Sequence, residues 1–477
     1  MPEWITYEMF GAVGDGVHDD MPAIVRAHEE ANRLRLPVKA APGAVYYIAP
    51  RGLTAAVQTS ADWTGAKFLI DDVGCRDIGA PVFHVCSALA PLPLQADRMT
   101  AGQTALPNPF SRELFVIVEN AAHRDYIRKG LNQDHGHPRT DVFVLRENGT
   151  LSSPLSFDFD GLTSLAAHPV DPERLTLRGG EFTTIANQAE SRYNYHSRNI
   201  RVTRSNVTIS GLRHYITGEK DHGAPYMGFI HLTDCARVTV EDCLFTAHRI
   251  FETIGSAGLP VPMGSYDIRA DRTADVLIRR CTQTTDIHDS RYWGLFSSNF
   301  CRDMTFEDCV FSRFDAHMGV SNCTLRRCRL GWQCLNAIGS GTFLIEDTQA
   351  YGDAFVNLRD DYGCTWRGEI ILRNCTWQPR STRRAVFSGH NDGTHDFGYP
   401  CHMPDVTING LDILEDAADS SPLYIFNNYL GAAPDPATRP HMPRPPRQVR
   451  VQGIRTPRPV RLCENPALMP DTAFTQG

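Results

Sequence analysis

The chain has 477 residues, 42% of them hydrophobic and 21% charged, with a formal net charge of −8. That length exceeds one ordinary compact core and calls for several domains or for an elongated repeat in which each unit buries itself against its neighbours. The acidic balance argues against a nucleic-acid or anionic-membrane partner, and no apolar run reaches membrane-spanning length.

The opening, MPEWITYEMF, has neither a basic n-region nor an apolar h-region. Cytoplasmic location is therefore expected, with a secreted or periplasmic one left open if a leader preceded this start. Next comes FGAVGDGVHDD, Phe10 to Asp20, followed by an amphipathic stretch. Its glycines fit neither G-x-G-x-x-G nor a phosphate-binding loop, since no Lys follows. Asp19 or Asp20 can N-cap the following helix, with Pro22 in its first turn and Ala23, Ile24, Ala27 and Ala31 on the buried face.

Residues 1–75 read as a cap and first coils, with strands in VYYIAP and AKFLIDD. Residues 76–174 break that rhythm with a Pro- and Ala-rich stretch and two apolar runs, ELFVIVEN and DVFVLREN, and read as a small β-rich insertion.

From residue 175 one pattern recurs: apolar–x–apolar, a polar pair, then a small or apolar residue. It occurs as LTLRGG (175–180), VTISGL (207–212), VTVEDC (238–243), VLIRRC (276–281), MTFEDC (304–309) and CTLRRC (323–328). It continues as FLIEDT (343–348), IILRNC (370–375), VTINGL (406–411) and VRVQGI (449–454). The alternation is a strand signal, and a short repeat with variable insertions is a solenoid. Cys243, Cys281, Cys309, Cys328 and Cys375 share one motif position. Stacked coils place them in an interior ladder at about 4.8 Å per coil, right for packing and too regular for disulfides. The 14 Cys show no metal-ligand spacing, so no metal or other cofactor is expected. Residues 175–460 thus form the solenoid and 461–477 a tail, preceded by the Pro-rich run PDPATRPHMPRPPR.

FGAVGDGVHDD resembles the N-terminal signature of right-handed parallel β-helix proteins of the pectate-lyase superfamily, including family 28 glycoside hydrolases and phage tailspikes. The resemblance implies an all-β right-handed parallel β-helix with an N-terminal capping helix, here carrying the insertion. It also implies that the acidic turn closes the end of the solenoid rather than doing chemistry.

Stacked coils gather a site from distant residues. Counting forward from each motif collects Glu252; Asp289 and Arg291; Arg313, Asp315 and His317; Asn336; Arg359, Asp360 and Asp361; and His390. Trp293, with Tyr292, adds possible sugar-stacking faces. Glycoside hydrolysis needs one carboxylic acid and one carboxylate. The expected catalytic set is Asp289, Asp315, Asp360 and Asp361, with His317 as orienter or proton relay. Glu252, Arg291, Trp293, Arg313, Asn336, Arg359 and His390 are the expected substrate contacts. Asp360–Asp361 in NLRDDYG resembles the paired aspartates of family 28, and SGHN their His motif, although the NTD and R-x-K motifs are missing. The expected function is a glycoside hydrolase acting on an oligo- or polysaccharide, with a homo-oligomer possible. The alternatives are a polysaccharide lyase, with Asp286, Asp289 and Asp315 holding Ca²⁺, and a non-catalytic glycan-binding or tailspike-like β-helix.

Overall fold

The computed structural model describes residues 3–130, 135–255, 259–380, 385–415, 421–427 and 443–477. The repeat folds as a parallel β-helix. All ten motif segments are strands, and equivalent residues stack in register: Val276, Met304, Cys323, Phe343, Ile370, Val406 and Val449 pair coil upon coil. One coil shows the plan. Arg302–Glu307 lies on the motif face, Val310–Phe311 on a short second face, and Arg313–Arg326 crosses the third face before bending back to the motif face. Alternation sends Phe306, Phe311, Phe314 and Ala316 into the core, and Phe343 and Trp366 pack beyond them. Each such aromatic contributes about 1.5–3 kcal/mol by leaving water.

The turn between the first two faces explains the polar pair of the motif. Its second member adopts a left-handed conformation in successive coils: Asp242, Arg280, Asp308, Arg327, Asp347 and Asn374 have φ of 48–56°. One residue in that region reverses the chain sharply and returns the next, usually Cys, to the interior. All five ladder cysteines are buried free thiols. The pairs also alternate in charge between coils. Arg279 bonds Glu241 at 2.6 Å and Arg280 bonds Asp242 at 2.7 Å. Arg327 bonds Asp308 at 2.8 Å, and Arg326 bridges Glu307 and Glu346 at 3.0 and 2.8 Å.

At the N-terminus, helix Met21–Leu34 buries Ala23, Ile24, Ala27 and Ala31 against the first coil. Asp20 occupies the N-cap position but does not cap. Its carboxylate turns back to accept from the amides of Val13 (2.6 Å) and Gly14 (3.2 Å), pinning the glycine turn, while Asp19 accepts from Met21 N at 3.2 Å. The acidic turn is a structural lock.

Two boundaries move. Phe83–Val85 is a third-face strand paired with Ala55–Val57 and Ile200–Val202, so the insertion starts after Val85. Ala473–Gln476 pairs in parallel with Gln448–Val451, so the segment expected as a tail extends the solenoid. The last part of the expected solenoid includes the stretch 428–442, which lies outside the described residues.

The insertion is an antiparallel sheet of Leu114–Asp125 between His137–Leu145 and Ser164–Pro169. One of its sides builds a small core around Val116, Phe143, Leu145 and Phe159. The other, with Phe115, Ile117, Val142 and Val144, sits on Ala236 and Ala274 of the solenoid. Arg302, 2% exposed, rivets the two parts: it donates to Val142 O (2.8 Å), Pro154 O (2.7 Å) and Ser156 Oγ (2.8 Å), and pairs with Asp141 at 2.5 Å. Among the described residues, no helix is long and apolar enough to cross a membrane.

Candidate functional site

The third face carries a polar column on its outer side. Register places His231, Arg269, Asp315, Asn336, Asn357 and Ser388 in this column, with the backbone of Ser297 pairing between Arg269 and Asp315. Arg313 and Asp315 point away from the core yet are 8% and 2% exposed, because loops wall the face on both sides. The result is a groove of about 490 Å³, lined in part by Arg313, Trp332, Gln333, Asn336, Asp353, Asn357, Arg359, Asp360, Asp361, Arg380 and Ser388.

Arg359 is the hub. Its Nη1 lies 3.3 Å from Asp315 and its Nη2 2.7 Å from Asp361, and its ring-facing side rests 5.4 Å from the centre of Tyr362. Its backbone sits at φ 41°, unusual for a residue with a side chain, and its N–H donates to Asn357 Oδ1 at 3.2 Å. Strain of this kind gathers at functional sites. Asp315 also receives Arg313 at 2.5 Å. Asp361 receives Arg128 at 2.8 Å, and Arg128 comes from the insertion. The insertion is further anchored there by Lys129, whose amide donates to Asp361 O (2.9 Å) and whose ammonium meets Asp392 (2.8 Å). Burial alone would raise the Asp361 pKa, but Arg359 and then Arg128 outweigh it and hold the carboxyl below the usual range. Burial also lowers the basicity of the Arg313 guanidinium.

Beside this cluster runs a second chain of polar groups. Asn299 donates from Nδ2 to Asp271 at 2.6 Å, which fixes its amide so that Oδ1 accepts from His317 Nδ1 at 2.8 Å. Asp271 is further held by Arg269 (2.7 Å) and His231 (2.8 Å). A bulge between Ala316 and Met318 admits His317 to this row. Burial, then the Arg359 charge, pushes the His317 pKa well down, so its imidazole is neutral. With Nδ1–H committed to Asn299, Nε2 carries the lone pair.

Of the residues singled out from sequence, Arg313, Asn336, Arg359, Asp360 and Asp361 line the groove, Asp315 lies beneath Arg313 and Arg359, and His317 stands edge-on to Tyr362 at 5.5 Å. The remaining residues lie elsewhere. Asp289 and Arg291 pair with each other at 2.6 Å in an exposed loop. Glu252 belongs to the hairpin Phe251–Ile254 and lines a separate surface hollow with Arg192 and Tyr193. Trp293 is 9% exposed and buried under the Arg313 guanidinium, 4.7 Å from its ring centre, so it offers no open stacking face; Trp332 does line the groove. His390 is exposed, and its backbone exchanges bonds with the Cys364 thiol. Asp286, Asp289 and Asp315 do not converge, and among the described residues no group of three or more His, Cys, Asp or Glu is arranged to hold a metal ion.

Arg269, Asp271, Asn299 and Trp332 escaped the forward count because the loop into the third face varies in length, and Arg128 because it belongs to the insertion, outside the repeat. Counting backward from the next motif recovers most of the column: His231, Arg269, Ser297 and Asn336 all lie seven residues before it. Asp315 lies eight before, the bulge supplying the extra residue.

The chain matches no protein-family model and no curated protein sequence. Solved structures do resemble it. The tailspike gp61 of Pseudomonas phage phi297 superposes with a TM-score of 0.60 at 14% identity, over 99% of this chain and 84% of that one. The tailspike gp54 of Acinetobacter baumannii bacteriophage AP22, solved with a capsular saccharide, gives 0.55 at 8% identity over 99% and 79%. The tailspike gp49 of Pseudomonas phage LKA1 gives 0.54 at 14% identity over 98% and 84%. By architecture, the chain is a parallel β-helix protein of the pectate-lyase-like fold.

Proposed function

We propose that the chain is a carbohydrate-active enzyme that holds an oligo- or polysaccharide in the third-face groove and hydrolyses a glycosidic bond there. The observation that carries this reading is the lining: three carboxylates, Asp353, Asp360 and Asp361, open onto one groove with Gln333, Asn336, Asn357 and Trp332. Side-chain amides both donate to and accept from sugar hydroxyls, and an indole covers the apolar face of a ring. Hydrolysis needs a carboxylate as base or nucleophile and an acid for the leaving oxygen. Asp361, kept ionised by Arg359 and Arg128, suits the first role, and Asp353 or Asp360 the second. Arg313, Arg359 and Arg380 suit a sugar bearing a carboxylate. A tailspike of this fold solved in complex with a capsular saccharide supports a polysaccharide as the partner.

One observation favours a second reading, β-elimination: neutral His317, oriented through Asn299 and Asp271, keeps an unprotonated Nε2 in the field of the Arg359 guanidinium. There the imidazole takes the proton from the carbon next to a uronate carboxylate, and the guanidinium neutralises the developing charge. The electron pair forms the double bond as the glycosidic oxygen leaves the next carbon and takes the proton back from the imidazolium. Neutral and uronate-containing polysaccharides distinguish the two. New reducing ends without ultraviolet-absorbing unsaturated ends mean hydrolysis, and unsaturated ends mean elimination. Asp361→Asn lowers hydrolysis by about 10²-fold or more, whereas His317→Gln abolishes elimination and spares hydrolysis. No product from either class of polymer overturns the enzymatic reading.

A further inference from the structure

A second cavity, of about 210 Å³, lies between the insertion and the solenoid; one of its walls is Tyr126, whose ring centre is 6.3 Å from that of Tyr362. The insertion contributes Tyr126, Arg139 and Phe157, and the solenoid Arg367, Tyr399 and His402. Its charges are unequally matched. Arg139 is bound by the buried carboxylate of Asp125 at 2.9 and 3.1 Å. Arg367 has no ion-pair partner among the described residues. Its guanidinium meets only a neutral carbonyl, that of Ser156, and lies 4.9 Å from the centre of the Phe157 ring. The residue is partly open to solvent; burial of its inner part lowers its basicity and the like charge of Arg139 adds to this, while Asp141 and Asp158, neither of them bonded to it, oppose it. The imidazole of His402, lowered to about 4 chiefly by burial and then by neighbouring arginines, is neutral and can donate one N–H. Asp158, the cavity's one carboxylate, accepts from Ala101 N at 2.9 Å instead of pairing with Arg367.

An unmatched guanidinium, neutral donors and aromatic walls around a small space describe a ligand with one negative charge and a ring. At about 30 Å³ per water, the space equals roughly seven waters, enough for a single ring and too little for a disaccharide. We propose that this cavity is a second ligand site, which takes a single-ring organic carboxylate, its charge on Arg367 and its ring against Phe157 and Tyr399. The site also abuts the first one. Tyr126 lies two residues before Arg128, which bonds Asp361, and Tyr399 donates to the carbonyl of Tyr362 at 2.6 Å. An occupant therefore clamps the insertion to the solenoid next to the groove.

Calorimetric titration of the full chain tests this, with sodium glucuronate and sodium benzoate as probes and glucose and inorganic phosphate as controls. At least one carboxylate binds with one site per chain, and which of them binds separates a sugar acid from an aromatic acid. Arg367→Ala weakens that binding at least tenfold while Arg359→Ala, in the groove, leaves it intact; Arg367→Lys gives an intermediate loss and guards against misfolding. The proposal is overturned if neither carboxylate binds, if binding survives Arg367→Ala, if it disappears with Arg359→Ala, or if phosphate binds as well as the carboxylates. Failure to cleave any polysaccharide does not bear on this result, since the two sites share no lining residue.

Discussion

Replacing Arg302 by Met should release the insertion while leaving the coils intact. Arg302 donates to four oxygens of the insertion besides Asp141 and is itself 2% exposed, so its loss strands a buried carboxylate and several acceptors. Removing one partner of a buried ion pair costs about 3–5 kcal/mol. Asp141 keeps the amide of Ser156 at 2.8 Å, which places the expected loss at the lower end. About 3 kcal/mol raises the opening equilibrium on the order of 100-fold. Because the insertion has its own small core, the loss should appear as local undocking. Hydrogen exchange reads this directly: amides of Leu114–Asp125 and His137–Leu145 exchange on the order of 100-fold faster, whereas those of Asp405–Ile413, in coils beyond the insertion, stay unchanged. Adding Asp141→Asn should restore most of the protection, since no uncompensated charge remains. Unchanged exchange in Arg302→Met, or equal acceleration in both regions, refutes the argument.

Other outcomes follow from the same coordinates. Of the fourteen cysteines all but Cys86 are buried, so a thiol reagent applied to the native protein should label at most Cys86; rapid labelling of the ladder would contradict the stacked core. The Asp361 pKa is lowered on folding, so its contribution to stability is present above the unfolded value of about 3.9 and is lost as pH falls through the lower folded value. Asp361→Asn should accordingly flatten the acid limb of a stability–pH curve, measured by urea unfolding. Arg280→Glu sets like charges beside Asp242 and should lower the unfolding midpoint slightly, and more at low salt, because the pair is exposed.

The fold was legible because its period is written in short-range chemistry. Alternating apolar residues, a polar pair and a Cys recur wherever the chain turns from the motif face, and those positions stack as the spacing implies. The groove was legible only in part. Asp315, Asn336, Arg359 and Asp361 came from offsets measured across a loop that is one residue long at Ser312 and some twenty long around Glu252, so Asp289 and Glu252 were swept in with them. The segment from the third face to the next motif is far more constant, and anchoring there would have found Arg269. Nothing local announces Arg128, which meets Asp361 from 233 residues away through a separately folded sheet. Nor does residue type reveal that Trp293 is covered, since that depends on Arg313 and on Gly264, where an added Cβ would fall 2.1 Å from the indole.

The alternating charges along the first turn impose a parity on the solenoid. Between Glu241–Asp242 and Arg373–Asn374, acidic and basic pairs take turns coil by coil. Deleting or duplicating one coil in this stretch brings acid onto acid or base onto base, whereas doing so with two adjacent coils preserves every attraction. Length variation here is therefore quantised in twos, and a nascent strand that settles one rung too far meets repulsion at an edge where its apolar residues alone would have been content.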